Sequence, residues 1–226
     1  MKEFTTNDIY NEFKRKYKEG EFRIIGNDVQ QSKTVEIQNA HFIVDKPYIC
    51  REPNYKYFNK ELNWYLSQSL NVNDIEGGTP KMWKACATKD GLINSNYGWM
   101  IYSFDNCNQF EHCVEKLCED NHTREACMIY QRPSMQIEYN KDGMHDFCCT
   151  YAVQYFINND FVDSIVYMRS CDAVFGFCND SLWQIEVLDT LCDKLTEKLK
   201  RPITPGKLFW NAGSLHVYER HFKYLE

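Results

Sequence analysis

The stretch SLWQIEVLDTLCDKLTEKLK, residues 181–200, most narrows what this chain can become. Leu182, Ile185, Leu188, Leu191, Cys192, Leu195 and Leu199 recur at three- and four-residue spacing. That spacing gathers them on one side of an α-helix, so the segment has to lie with that stripe against a core. Pro202 stops the helix, because its ring fixes φ and leaves no N–H to donate. The following GKLFWNAGSLHVY reads as strand and turn.

Other segments fill in the layers. Thr6 or Asn7 can cap a helix through about Lys18, with Ile9, Phe13 and Tyr17 inward and Gly20 ending it. KTVEIQNAHFIV alternates like strands with a turn near Asn39. Residues 54–69 form a helix with Phe58, Leu62, Tyr65 and Leu66 on its apolar side, and IEGGTP is a loop. Asp105 or Asn106 can cap a helix that turns Phe110, Cys113, Val114 and Leu117 inward. Short strands are expected near 126–130, 148–158 and 162–168. The elements mix without βαβ regularity, so the predicted class is α+β, and residues 1–226 form a single domain.

Composition excludes some functions. The net charge is −6, which argues against a general polyanion binder while leaving room for a local basic pocket. No apolar run approaches the ~18 residues of a membrane span. The start MKEFTTNDIY lacks the apolar centre of a signal peptide, so a cytoplasmic protein is expected. The 11 cysteines follow no framework spacing and read as small buried residues of a reducing compartment. Cys113, Cys118 and His122 come nearest to a metal set, but no second ligand pair accompanies them, so no metal is expected.

A few residues ask for chemistry. Arg169 ends an apolar strand, where a cation needs an anion: a carboxylate or a ligand phosphate would serve, with the Ser170 hydroxyl beside it. Asp180 stands just before the long helix and by position alone reads as its N-cap. His216 and Tyr218 are spaced to share one strand face. Glu61, near Leu62 and Trp64, can move protons if burial raises its pKa, or can simply face solvent. FCCT, residues 147–150, holds two adjacent thiols and does not say which is a nucleophile.

Taken in order, ELNWYL, MW…NSNYGW, a cysteine five residues before a glutamine, RSCD with a glycine four residues on, and WNAGSLHVY resemble the thymidylate synthase family from about residue 33 onward. PKMW, INSNYGW, RPSMQ, YNKDGM, VFGF and GSLHVYERHF resemble one branch of it, the deoxycytidylate hydroxymethylases of the T-even phage type. The resemblance implies a kinked mixed sheet, a homodimer formed sheet to sheet, and transfer of a one-carbon unit from methylenetetrahydrofolate to a pyrimidine nucleotide. It makes Cys149 the nucleophile, five residues before Gln154, and Cys148 a buried neighbour; Gln154 would contact nucleotide.

Thiolate addition at ring carbon 6 makes carbon 5 a nucleophile. Hydride or water then completes the product. By the same resemblance, Arg169 and Ser170 hold the nucleotide phosphate, and His216 and Tyr218 hold the sugar. Glu61 orders water, and Tyr97 and Asn96 act at the reacting face. Trp83, Asp172, Asn96 and Gly176 meet the folate. Lys33 and Arg124 are further phosphate contacts, Arg124 across the dimer. Asp180 stands where thymidylate synthases carry asparagine, and an aspartate suits cytosine, so dCMP is the expected substrate. Water addition would give 5-hydroxymethyl-dCMP. The rivals are a dCMP methylase, a dUMP-directed relative, and a non-catalytic scaffold or RNA binder; other nucleotide-synthesis enzymes are conceivable partners.

Two departures stand out. Glu125 follows Arg124 where the family has a second arginine. The sequence also ends at Glu226, soon after HVYERHF, so closure over folate comes from elsewhere unless the sequence is truncated.

Overall fold

A computed structural model describes residues 3–26 and 31–226. In chain order the elements are α1 (Thr6–Glu19), β1 (Arg23–Ile25), β2 (Ser32–Ile43), α2 (Tyr55–Leu66), α3 (Lys81–Cys86), α4 (Tyr97–Tyr102), α5 (Gln109–Glu119), β3 (Cys127–Ile129), α6 (Met135–Glu138), β4 (Thr150–Asn158), β5 (Phe161–Asp172), α7 (Gly176–Leu199) and β6 (Thr204–Tyr218). The strands form one six-stranded sheet in the order β1-β2-β6-β5-β4-β3. Neighbours are antiparallel except β5 and β6, which run parallel with α7 as their crossover. The architecture is α+β with a mixed sheet, as the sequence predicts.

The long helix packs as its stripe requires. Leu188, Leu191, Cys192 and Leu195 are buried, and Trp183 and Val187 join them. The helix lies against β5 and β6, with α2 and α5 beside it. Its start differs from expectation: helical geometry begins at Gly176, so Asp180 is its fifth residue and not its N-cap.

Four other expectations change. KTVEIQNAHFIV is not two strands with a turn; β2 is continuous, and Asn39 takes φ 52° within an unbroken register against β6. GKLFWNAGSLHVY likewise has no turn and lies within one 15-residue strand, Thr204–Tyr218. In α2 the buried residues are Phe58, Glu61, Trp64 and Tyr65, whereas Leu66 is exposed. The carboxylate therefore sits on the inward side. α5 starts at Gln109, after a short 3-10 turn over Phe104–Asn106, and buries Phe110, Cys113, Val114 and Leu117.

Two local features position the site. A β-bulge between Thr150 and Ala152 shifts the register of β4 against β5, which kinks the sheet next to Cys149. The NSNYGW motif lets α4 cross α2 closely. The Asn96 amide donates to the carbonyls of Trp64 and Ser69 at 3.0 and 2.8 Å and accepts from the Trp99 N–H at 2.8 Å. A Cβ on Gly98 would lie 1.9 Å from the Tyr65 carbonyl oxygen, a contact no backbone tolerates.

Candidate active site

A cavity of about 750 Å³ opens between the sheet and helices α2, α3 and α7. Of the sequence-predicted residues it brings together Cys149, Arg169, Asp172, Gly176, Asp180, Glu61, Trp83, Tyr97 and Tyr218.

The two adjacent cysteines diverge. Cys148 is 1% exposed, and its thiol donates to the Thr150 carbonyl at 3.2 Å. Cys149 lines the cavity, where Arg169 Nη2 approaches its Sγ at 3.5 Å. Burial pushes the Cys149 thiol up to about 11, against the pull of the Arg169 charge. Arg169 has no carboxylate within 4 Å among the described residues. Its guanidinium donates to the carbonyls of Phe147 and Cys148 and stacks on the Phe147 ring at 4.9 Å. The carboxylate partner that a strand-end arginine ordinarily takes is absent, and its charge stays available at the cavity.

The helices supply acids. Tyr57, Glu61 and Tyr65 recur every four residues along α2 and all line the cavity. Glu61 Oε1 accepts from the Tyr57 hydroxyl at 2.6 Å and from Trp83 Nε1 at 2.7 Å. Burial raises its pKa, and these donors oppose the rise. Asp180 opens onto the same cavity. Burial, with the nearby Glu61 charge, pushes it up to about 8, while a hydrogen bond with Tyr97 pulls the other way. A carboxyl with that value is mostly protonated at pH 7 and can donate a hydrogen bond.

Tyr97 stacks on Tyr65 at 5.3 Å, and its hydroxyl accepts from Thr150 Oγ1 at 3.0 Å. Gly176 starts α7 between two acids: a Cβ there would lie 3.4 Å from Asp172 Cβ and 3.9 Å from Asp180 Oδ2. Asp172 accepts from the Val174 N–H at 2.9 Å, which turns the chain from β5 toward α7.

Other expected residues lie elsewhere. Asn96 does not line the cavity; its amide is spent on the α2–α4 crossing. Gln154 is outside as well, donating to the Arg124 carbonyl at 2.9 Å. Ser170 and His216 are not among the lining residues. His216 packs on Tyr218 with ring centres 4.7 Å apart, and its Nδ1 is 3.2 Å from Ser214 Oγ. Lys33 lies at the start of β2 above the Phe22 ring, and Arg124 lies on an outer loop; neither reaches this chain's cavity. Glu125 turns outward and pairs with Lys116 at 2.9 Å. No group of three His, Cys, Asp or Glu among the described residues is placed to hold a metal, and no helix among them is long and apolar enough to cross a membrane.

Sequence reasoning passed over Arg51, Arg220, His221, Asn179 and Asp146, which also line the cavity. Arg51 stacks on Phe175 at 4.6 Å and Arg220 on Tyr218 at 4.3 Å. Asp146 gave no clear signal: it stands in the polar stretch KDGMHDF just before the two cysteines.

The family model described as Thymidylate synthase matches residues 19–226. The deoxycytidylate 5-hydroxymethyltransferase of Enterobacteria phage T4 is 50% identical over 191 residues, covering 84% of this chain and 78% of that one. A thymidylate synthase of Francisella tularensis is 22% identical over 173 residues, 72% of this chain and 61% of the relative. The solved thermostable thymidylate synthase A of Bacillus subtilis superposes with TM-score 0.70 at 18% identity, covering 98% of this chain and 82% of that one. The chain belongs to the thymidylate synthase family, on the branch of the deoxycytidylate 5-hydroxymethyltransferases.

Proposed function

We propose that this chain is a dCMP hydroxymethylase, converting dCMP, 5,10-methylenetetrahydrofolate and water to 5-hydroxymethyl-dCMP and tetrahydrofolate. The observation that carries the reading is Asp180: a half-buried carboxyl that lines the same cavity as Cys149 and Arg169, in a chain half identical to deoxycytidylate 5-hydroxymethyltransferases. Cytosine presents an amino donor and an unprotonated ring nitrogen. A neutral carboxyl accepts from the first and donates to the second. It can also hand its proton to ring nitrogen 3, which an asparagine amide cannot do. That transfer draws electrons from carbon 6 and favours attack there.

The other residues then take roles. Cys149 is the nucleophile. Its thiol rests protonated, so the attack needs a proton acceptor and the Arg169 charge to hold the thiolate. Arg169 also holds the nucleotide phosphate, with Ser170 next to it. Tyr218, steadied by His216, contacts the sugar. Glu61, bracketed by Tyr57 and Trp83, holds the water that enters the product and takes its proton. Trp83, Asp172 and Gly176 line the folate side, Asp172 as an acceptor, and Tyr97 works at the reacting face. Asn96 supports that face from behind.

A homodimer fits the outer side of the sheet. Ile165 pairs with Phe209 and both are half-exposed, while the adjacent Tyr167 is 39% exposed. Gln154 joins Arg124 to this side, which supports Arg124 acting in a partner's site.

Incubation of dCMP with methylenetetrahydrofolate is expected to give a nucleotide heavier by one formaldehyde unit and tetrahydrofolate. Accumulating dihydrofolate, with a methylated nucleotide, would instead make the chain a dCMP methylase.

A further inference from the structure

Asp146 is 7% exposed, and no Lys, Arg or His side-chain nitrogen forms an ion pair with its carboxylate within 4 Å among the described residues. A buried acid without a cation is costly unless several donors meet it. Here three do. Oδ2 accepts the N–H groups of Asn94 and Ser95, both at 2.7 Å, and Oδ1 accepts the Ser95 hydroxyl at 2.7 Å. Two of these donors are backbone N–H groups, which can only donate, so the site matches the ionised form. Burial pushes the carboxyl up, and these donors with the Arg169 charge oppose it.

The partners are informative. Ser95 is two residues before Tyr97, and Asp146 is three residues before Cys149. A second link joins the same two segments beyond the thiol, where Thr150 Oγ1 donates to the Tyr97 hydroxyl at 3.0 Å. Cys149 thus lies between two cross-links that tie 146–150 to 94–97. The segment is held from other sides too: His145 N–H donates to Cys86 O at 2.8 Å, Asp146 N–H to Tyr139 O at 3.0 Å, and Arg169 to the carbonyls of Phe147 and Cys148.

We propose that Asp146 is a positioning residue: it braces the Cys149 segment against the N-terminal end of α4, fixing the thiol relative to the Tyr97 phenol. This rests on Cys149 being the nucleophile. Placement within a few tenths of an ångström is what converts a nearby thiol into an attacking one. The brace also sets a negative charge beside the thiol. Arg169 on β5, Asp180 on α7, Cys86 on α3, Tyr97 on α4, Tyr218 on β6 and Cys148 complete the groups that face it.

Two variants separate position from charge. Asp146→Asn can keep every bond, because its carbonyl oxygen accepts both N–H groups and its amide donates to the Ser95 hydroxyl. Asp146→Ala loses all three. The expectation for Asp146→Ala, checked as folded by circular dichroism, is a kcat lower by about tenfold or more with the KM for dCMP changed less than about threefold. Asp146→Asn should recover to within about threefold of the parent, and iodoacetamide should alkylate its Cys149, mapped by mass spectrometry, with a midpoint at lower pH because a negative charge is gone. The proposal is overturned if Asp146→Ala stays within about twofold of the parent, if Asp146→Asn is as slow as Asp146→Ala, or if the alkylation profile of Asp146→Asn does not move. Cys149→Ala tests the underlying reading separately: full turnover there refutes the nucleophile, whereas an inactive Cys149→Ala beside an unimpaired Asp146→Ala refutes only the brace.

Discussion

The two walls of the cavity treat their ionisable groups in opposite ways. On the helical wall, Glu61 and Asp180 are acids whose burial raises their pKa, and neutral donors such as Tyr57, Trp83 and Tyr97 meet them. On the sheet side, Arg169 keeps its charge without a carboxylate, held by backbone carbonyls and an aromatic face. Arg51 and Arg220 at the cavity edge likewise rest on rings. Neither wall neutralises the other. The difference teaches where a nucleotide's parts belong: the base with proton-bearing acids, the phosphate with unspent cations.

Removing the sheet wall's nucleophile breaks the comparison most completely. Cys149→Ala is expected to lower kcat by ~10⁴-fold or more, with Cys148 unable to substitute from its buried position. A radiolabelled dCMP turnover assay checks it, and appreciable residual activity would place the chemistry elsewhere. Arg169→Ala should cost about 10²–10³-fold in kcat/KM, since it removes both the phosphate cation and the charge beside the thiol. An unchanged KM for dCMP would mean that the phosphate lies at Arg51 or Arg220.

The helical wall gives subtler tests. Asp180→Asn should shift the dCMP-to-dUMP preference by about 10²-fold toward dUMP, measured as a ratio of kcat/KM. It also has a signature without ligand. The folded carboxyl titrates near 8 against 3.8 for an unperturbed one, so across that range the folded chain holds a proton that the unfolded chain has released. Stability should therefore fall as pH rises from about 4 to 8, by a few degrees in Tm, and Asp180→Asn should flatten that slope. A slope equal to that of the parent would mean that the carboxyl is ionised throughout.

How far these walls were legible in the sequence depends on the kind of constraint. Periodicity exposed α7, because a seven-residue apolar stripe has one way to be buried. It could not place the start of α7, since FGFCND has no capping pattern and its helical turn is imposed by packing near Asp172. Motif order singled out Cys149, and the structure places that thiol, not Cys148, at the cavity. Gln154 and Asn96 carried the same motif signal, yet their amides are spent on backbone carbonyls, which spacing cannot reveal. Asp146, Arg51 and Arg220 were missed for the opposite reason. Each stands among other charged or polar residues in the sequence, and only the fold brings them to one cavity.

The parallel pairing of β5 and β6 has a consequence for the order of assembly. Arg169, Asp172, Gly176 and Asp180 fall within a dozen residues on either side of the turn from β5 into α7. Strand, helix and returning strand form one contiguous stretch, wired far more locally than the pairing of β2 with β6. Its contacts close a shorter loop than those joining β2 to β6, which span most of the chain. This unit is thus suited to form early and to open last, with the rest of the sheet added to it. Amide exchange under native conditions would then be slowest along Val166, Met168 and Leu191, and the residues at that turn would keep their relative places even while the chain ends fray.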